Sequence, residues 1–432
     1  MAAIARAHEA PPAAPPERPA TKAWAQPVLG YYETVPADGG PTRPWSVPEV
    51  DLARVYVHDG SHAQAVDLAT GKLAWRVPAG GPTLPPVRTT TLATGATIGA
   101  LVDRELDTPL DPYREVPLRI TIVAAGAASH LVLTWAHALM DPHGSEHVLR
   151  LLAELDERPS DAAPAGPPLL VAPTDPRSFR ERGALASRGA AHLRSLAPVP
   201  PVSPAAAPLG RSPARRQRCF RFTAPAAPSD RLRRGLPWRL AVTAKAMTAL
   251  FTARGLPTNV PFLIPVSINR RARGEAGPVL GNYLAFHFAR CLPPLDGDTE
   301  RTARALRDQL AAAVRRDELE ATWAGMSFAR YRPLRGMFRE LPWTAAGDFC
   351  SFNFADTDAL LPDRTHLFGA PIAGGHHVAA VPARPGVGVF FGRRDGIESL
   401  VVSWVASVLD DADAVRIADV VRDEMGWQPV RE

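Results

Sequence analysis

Residues 131–155 read LVLTWAHALMDPHGSEHVLRLLAEL, and the reading of this stretch decides the fold. Leu131-Val132-Leu133-Thr134-Trp135 is a short apolar run rich in strand formers, which reads as a buried strand. Val148, Leu149, Leu151, Leu152 and Leu155 form an apolar stripe at helical spacing. His137 and Asp141 fall between them, at a strand-to-helix turn. Asp141 stands where a helix N-cap belongs, and Pro142 follows at the first helical position, where proline is favoured. An imidazole at a strand end is held from behind and open in front, and histidine is the side chain best matched to proton transfer near neutral pH. On local pattern alone, a lone histidine after a strand is more commonly a satisfied structural residue.

Working outward, Thr97 to Asp107 reads as a helix or ordered turn, and Val116 to Val123 as a strand. Ala124 to Ser129 is a small-residue hairpin turn leading to the strand at Leu131. Downstream, Phe179 to Leu196 reads as a basic helix and Arg216 to Phe222 as a strand. Trp238 to Arg254 carries apolar residues at helical spacing and ends at Gly255 and Pro257. Asn259 to Ser267 is a strand, Gly281-Asn282-Tyr283 opens another, and Glu300 to Arg316 is a long helix. Asp348 to Phe354 is a strand, and Val387 to Phe391 pairs with Leu400 to Val405 as a hairpin. Asp411 is expected to cap a last helix that runs to Met425 and stops at Gly426.

The segment AHALMDP (136–142) resembles the HHxxxDG motif of the CoA-dependent acyltransferase superfamily, which includes condensation domains, wax ester synthases and alcohol acetyltransferases. The order of a PLD-type turn at 107–112, a PLR strand, a hairpin and the histidine strand resembles the same superfamily. So does the later order of helix, VPVSxxR-like strand, GN turn and LP end. Carried over position by position, His137 matches the general base and Asp141 the carboxylate that holds the turn. The first histidine of the motif is Ala136 here and its glycine is Pro142. The resemblance implies an α/β fold of two chloramphenicol-acetyltransferase-like subdomains, a pseudo-dimer with an interface channel. It implies Arg270 as the structural partner of Asp141, with Arg271 one step away, and Asn282, Ser351 and Asn353 as residues lining the channel for the co-substrate.

The expected activity is that of an acyltransferase moving groups other than aminoacyl. The donor would be an acyl-CoA or acyl-carrier-protein thioester as co-substrate, and the acceptor a small-molecule hydroxyl or amine. A catalytically silent, condensation-like recruiting module is the alternative, since Ala136 and Pro142 depart from the motif. A metal-dependent hydrolase built on His143 and His147 is a third reading, but HExxH is absent and no third ligand is evident, so no metal and no bound cofactor are expected. No Walker loop, GxGxxG after a strand or GxSxG elbow is present.

The chain has 432 residues, 46% hydrophobic and 22% charged, which suits a globular enzyme with a large core. The net charge of +5 is spread along the chain, which fits an anionic carrier or a lipid surface better than nucleic acid. Lys22, Lys72 and Lys245 are the only lysines among 49 basic residues, which reads as a codon bias. Cys219, Cys291 and Cys350 lie far apart and read as small core residues. No run approaches a membrane span and no secretory h-region is present, so a cytoplasmic monomer is expected, with peripheral membrane contact at most. The expected organisation is a disordered tail at 1–23, an N-terminal subdomain at 24–156 with the HxxxD motif, a Pro/Ala-rich crossover at 157–215 and a C-terminal subdomain at 216–432.

Overall fold

The computed structural model describes the strands within 33–78 and residues 87–110, 118–125, 128–137, 139–157, 177–196, 198–225, 235–271, 282–294, 298–329 and 348–430. The expected tail at 1–23 and residues 158–176 of the expected crossover at 157–215 lie outside the described residues. The chain divides into two compact units, Met1–Leu84 with Arg330–Leu334, and Pro85–Ala329 with Arg335–Glu432.

In the first unit, β1 (Glu33–Thr34) pairs with β2 (Arg43–Pro44). β3 (Glu49–Val50), β4 (Arg54–His58), β5 (His62–Asp67) and β6 (Leu73–Pro78) form an antiparallel meander in that order.

The second unit opens with β7 (Val87–Thr91) and α1 (Ile98–Asp107), whose N-cap Thr97 accepts a hydrogen bond from the Ala100 N–H. β8 (Leu118–Ala125) and β9 (Ala128–Trp135) follow, and the three strands form a small sheet of order β7-β8-β9. β9 starts earlier than expected, because the small residues Ala124, Ala125, Ala128 and Ser129 stay in register. Nor is β9 a buried strand: it is the edge of its sheet, and Leu131 is exposed. α2 (Pro142–Asp156) and α3 (Phe179–Leu196) complete this part.

β10 (Arg215–Thr223), α4 (Leu236–Ala253), β11 (Phe262–Asn269), β12 (Leu284–Cys291), α5 (Thr299–Arg315) and α6 (Glu318–Ala329) come next. They are followed by β13 (Asn353–Ala359), the short pair β14 (His366–Leu367) and β15 (Ala370–Pro371), β16 (Val387–Arg394), β17 (Ile397–Val405), α7 (Asp411–Met425) and β18 (Gln428–Pro429). A seven-stranded sheet runs in the order β12-β11-β13-β16-β17-β10-β18, with β13 parallel to both neighbours.

The hairpin β16–β17 turns through Asp395 and Gly396, both at positive φ, as a tight hairpin turn demands. The strand expected at 348–354 begins only at Asn353, because Ser351 is drawn sideways onto the Leu263 backbone. The last helix is capped by Asp410 rather than Asp411, through a capping box with Asp413, and Gly426 closes it at φ 66°.

α4 is buried almost all round, so its Leu240, Val242, Met247, Leu250 and Phe251 sit in the core between the sheet, α5 and α7. Phe251 meets Phe262 edge-on at 5.0 Å, and Phe262 meets Phe352 likewise at 5.5 Å. The thiols of Cys219, Cys291 and Cys350 are free, and burial pushes those of Cys219 and Cys291 up to about 12.

α3 packs along α6, a helix not foreseen from the sequence. The crossing is close at Gly189, where an added Cβ would stand 2.1 Å from the Ala321 carbonyl oxygen. Side chains occupy backbone groups near both margins of the large sheet. Asp107 and Asp103 on α1 accept from the N–H groups of Arg215 and Gln217 on β10, at 2.6 and 2.9 Å. On β12, Gln309 accepts from the Arg290 N–H and donates to the Arg290 carbonyl.

Candidate functional site

The turn between β9 and α2 is held by its own atoms first. The Trp135 indole donates to the Met140 carbonyl at 2.9 Å, and the Leu139 N–H donates to the Ala136 carbonyl at 2.8 Å. Met140 is thereby tucked in at 2% exposure, while His137 stands at the exposed outer side of the turn. Pro142 fits, because it takes the first helical position behind an extended N-cap and needs no N–H there.

Asp141 has no exposed surface. Its Oδ1 accepts from the Gly144 N–H at 2.8 Å, which is the helix cap. Its Oδ2 accepts from Arg271 Nη1 at 2.9 Å and from the Tyr283 N–H at 2.8 Å. Those two donors flank the ends of β11 and β12, so one carboxylate joins the histidine turn to the seven-stranded sheet. Asn282 adds a second tie, its Nδ2 donating to the His137 carbonyl at 2.7 Å. Asn282 thus braces the backbone of His137, where a role in lining the channel was expected.

The arginine on Asp141 is Arg271, a correction to the expected Arg270. Successive residues leaving a strand face opposite ways. Arg270 therefore turns to the other side, where it forms a two-pronged pair with Glu320 and lies over the Trp323 ring at 3.8 Å. Glu320 also takes Arg177 at 2.9 Å, and these two guanidinium groups hold its carboxyl below its ordinary value despite partial burial. Ser351 and Asn353 are likewise committed to the sheet. Ser351 is buried and its Oγ accepts from the Leu263 N–H at 3.2 Å, and Asn353 donates to the Val387 carbonyl at 3.3 Å.

The sequence reading missed Glu146, one turn into α2. It is 3% exposed, and its Oε2 accepts from the Leu361 N–H at 3.1 Å. Among the described residues its Oε1 has no hydrogen-bond partner, yet it lies 3.8 Å from His143 Nδ1 and 4.0 Å from His377 Nε2. Burial pushes the Glu146 carboxyl up to about 7, against the pull of the Leu361 N–H and Arg150. Burial also lowers His143, and it lowers His377 to about 4, so the His377 ring is neutral at pH 7. Further along α2, Arg150 grips Asp363 with two nitrogens, and Arg364 reaches back to Glu154 and Glu157. Among the described residues, no group of three His, Cys, Asp or Glu side chains is disposed to hold a metal ion.

No known family model and no curated protein matches this sequence. Solved structures do match. The first condensation domain of the CDA synthetase superposes with a TM-score of 0.53 at 16% identity, covering 94% of this chain and 85% of that one. A double mutant of the starter condensation domain of the rhizomide synthetase RzmA, in complex with C8-CoA and Leu-SNAC, gives 0.54 at 13% identity, covering 82% and 79%. The chain has the condensation-domain fold. At such identities the condensation-domain likeness shows architecture alone, and the chemistry rests on the residues around His137. Among the described residues, no helix is long and apolar enough to cross a membrane.

Proposed function

We propose that the protein transfers an acyl group from a thioester, on CoA or on a carrier protein, to a hydroxyl or amine acceptor. The observation that carries this reading is the bonding of Asp141. A carboxylate with no exposure, shared by Gly144, Arg271 and Tyr283, fixes a turn whose histidine remains exposed. A rigid mount for an accessible imidazole is what general-base catalysis needs. His137 takes the acceptor's proton as the acceptor oxygen or nitrogen attacks the thioester carbonyl. The tetrahedral intermediate then collapses, the C–S bond breaks, and the proton passes to the leaving thiolate. The condensation-domain fold, and the C8-CoA and Leu-SNAC held by the RzmA domain, support the substrate class.

The test is thiol release from acyl-CoA donors of graded chain length, with a panel of amines and alcohols. His137→Ala is expected to lower transfer by about 100- to 10,000-fold with an unchanged far-UV circular dichroism spectrum. Transfer retained by the folded His137→Ala protein overturns the assignment of the base. Absence of transfer with every donor and acceptor favours the silent recruiting module instead.

A further inference from the structure

A second polar cluster lies on the face of the large sheet under the loop 373–377. Arg221 on β10 pairs directly with Ser399 on β17, which pairs with Gly392 on β16. These three make a row across the strands, and the row is closely packed at Gly392. An added Cβ at Gly392 would press on Ser399 Oγ at 3.1 Å and on Thr357 Oγ1 at 3.3 Å. The roof is equally close: a Cβ at Gly374 would touch the Arg221 guanidinium at 3.5 Å, and one at Gly375 would strike Leu360 at 2.4 Å. Between floor and roof is a cavity of about 50 Å³, lined by Arg221, Gly374, Gly375, His376 and Ser399. That is room for a few water-sized groups, and so for one tetrahedral oxyanion.

The groups around the cavity are uncommitted. Among the described residues, the Arg221 guanidinium makes no hydrogen bond or ion pair, and the Ser399 hydroxyl has no partner although the residue is only 6% exposed. The other charges at the rim cancel. Arg394 holds Asp395 at 3.1 Å, and its remaining nitrogens donate to the carbonyls of Leu360, Leu361 and Arg364. A solvent-exposed guanidinium and a hydroxyl, both without a protein partner, and a glycine-rich backbone are the donors that recognise phosphate oxygens. The next residue of the roof, His377, faces Glu146 on the helix that Asp141 caps.

We infer that Arg221, Ser399 and the Gly374–His376 loop form a subsite for a phosphate group carried by a ligand of the protein. With the acyl-transfer reading, that ligand is the thioester donor, whose handle carries phosphate on CoA and on a carrier protein alike. The subsite itself stands apart from that reading.

The test is calorimetric titration of the full chain with CoA, with pantetheine, which lacks phosphate, and with inorganic phosphate. The wild-type protein is expected to bind CoA about tenfold or more tightly than pantetheine, with inorganic phosphate competing against CoA. Arg221→Gln, on an exposed strand position, should erase most of that preference and leave pantetheine binding unchanged. Ser399→Ala should weaken CoA by a few fold. Equal CoA affinity in the wild type and Arg221→Gln overturns the subsite. Phosphate binding that depends on Arg221, without any preference for CoA over pantetheine, overturns the thioester as its occupant. A protein that binds CoA through Arg221 but transfers nothing keeps the subsite and loses the acyltransferase. An active protein whose CoA affinity ignores Arg221 does the reverse.

Discussion

Replacing Asp141 by asparagine keeps the shape of the side chain and removes its charge. The native carboxylate accepts three hydrogen bonds, from Gly144, Tyr283 and Arg271. An asparagine has one acceptor oxygen and an amide that donates. Asparagine caps helices as well as aspartate does, so the oxygen is expected to stay on the Gly144 N–H. The amide then confronts the Tyr283 N–H and the Arg271 guanidinium, which are themselves donors. Arg271, with a side chain 10% exposed, loses the carboxylate its Nη1 donates to and keeps the Asn269 oxygen. Removing one partner of a buried pair costs about 3–5 kcal/mol, and a stranded N–H a further 1–3 kcal/mol. Because the two penalties fall on the same amide, a loss of about 4 kcal/mol is expected. Urea unfolding followed by far-UV circular dichroism measures it as a lower midpoint at constant slope. In a double-mutant cycle with Arg271→Met, the pair should couple by about 2 kcal/mol or more. An Asp141→Asn protein within about 0.5 kcal/mol of wild type, or an additive cycle, refutes the reasoning.

Three further outcomes are expected. Asn282→Ala removes the donor on the His137 carbonyl and should lower kcat/KM by about fivefold and unfolding stability by about 1 kcal/mol, the usual contribution of one neutral hydrogen bond. Glu146 binds its proton more tightly folded, at about 7, than at its ordinary 4.5, so its contribution to stability is complete below 4.5 and is lost as pH rises through 7. Glu146→Gln stays neutral, so its stability relative to wild type should improve by about 3 kcal/mol between about pH 4.5 and 7.5; urea midpoints that move in parallel across that range would contradict the shift. Gly189→Ala drives a methyl into the Ala321 carbonyl and should cost about 1–2 kcal/mol net of its helix-propensity gain, seen as a lower Tm, whereas a raised Tm would show the two helices free to part.

Legibility from sequence followed the range of the forces involved. The cap at Asp141 was readable because an aspartate before a proline acts on its own first turn. The β16–β17 hairpin was readable from Asp395-Gly396 for the same reason. Arg270 and Arg271 could not be told apart, because side chains on neighbouring residues diverge and the choice depends on where the strand ends. Glu146 looked like any charged helix residue. Its burial is imposed by Leu361, 215 positions later, and by His377. Helix α6, ELEATWAGMSFA, mixes small and apolar residues on every side, so no stripe announces it. Asp410 and Asp411 are adjacent and equally able to cap, and only the partner at Asp413 selects between them.

The carboxylates of Asp103 and Asp107 and the amide of Gln309 bear on assembly. Exposed strand edges recruit further strands, from a partner peptide or from another copy of the same chain. Here the N–H groups of Arg215 and Gln217 on one margin, and both backbone groups of Arg290 on the other, are already occupied by side chains. A partner approaching those stretches of the sheet finds the rungs there already taken. The same occupancy disfavours edge-to-edge pairing of two copies at those rungs.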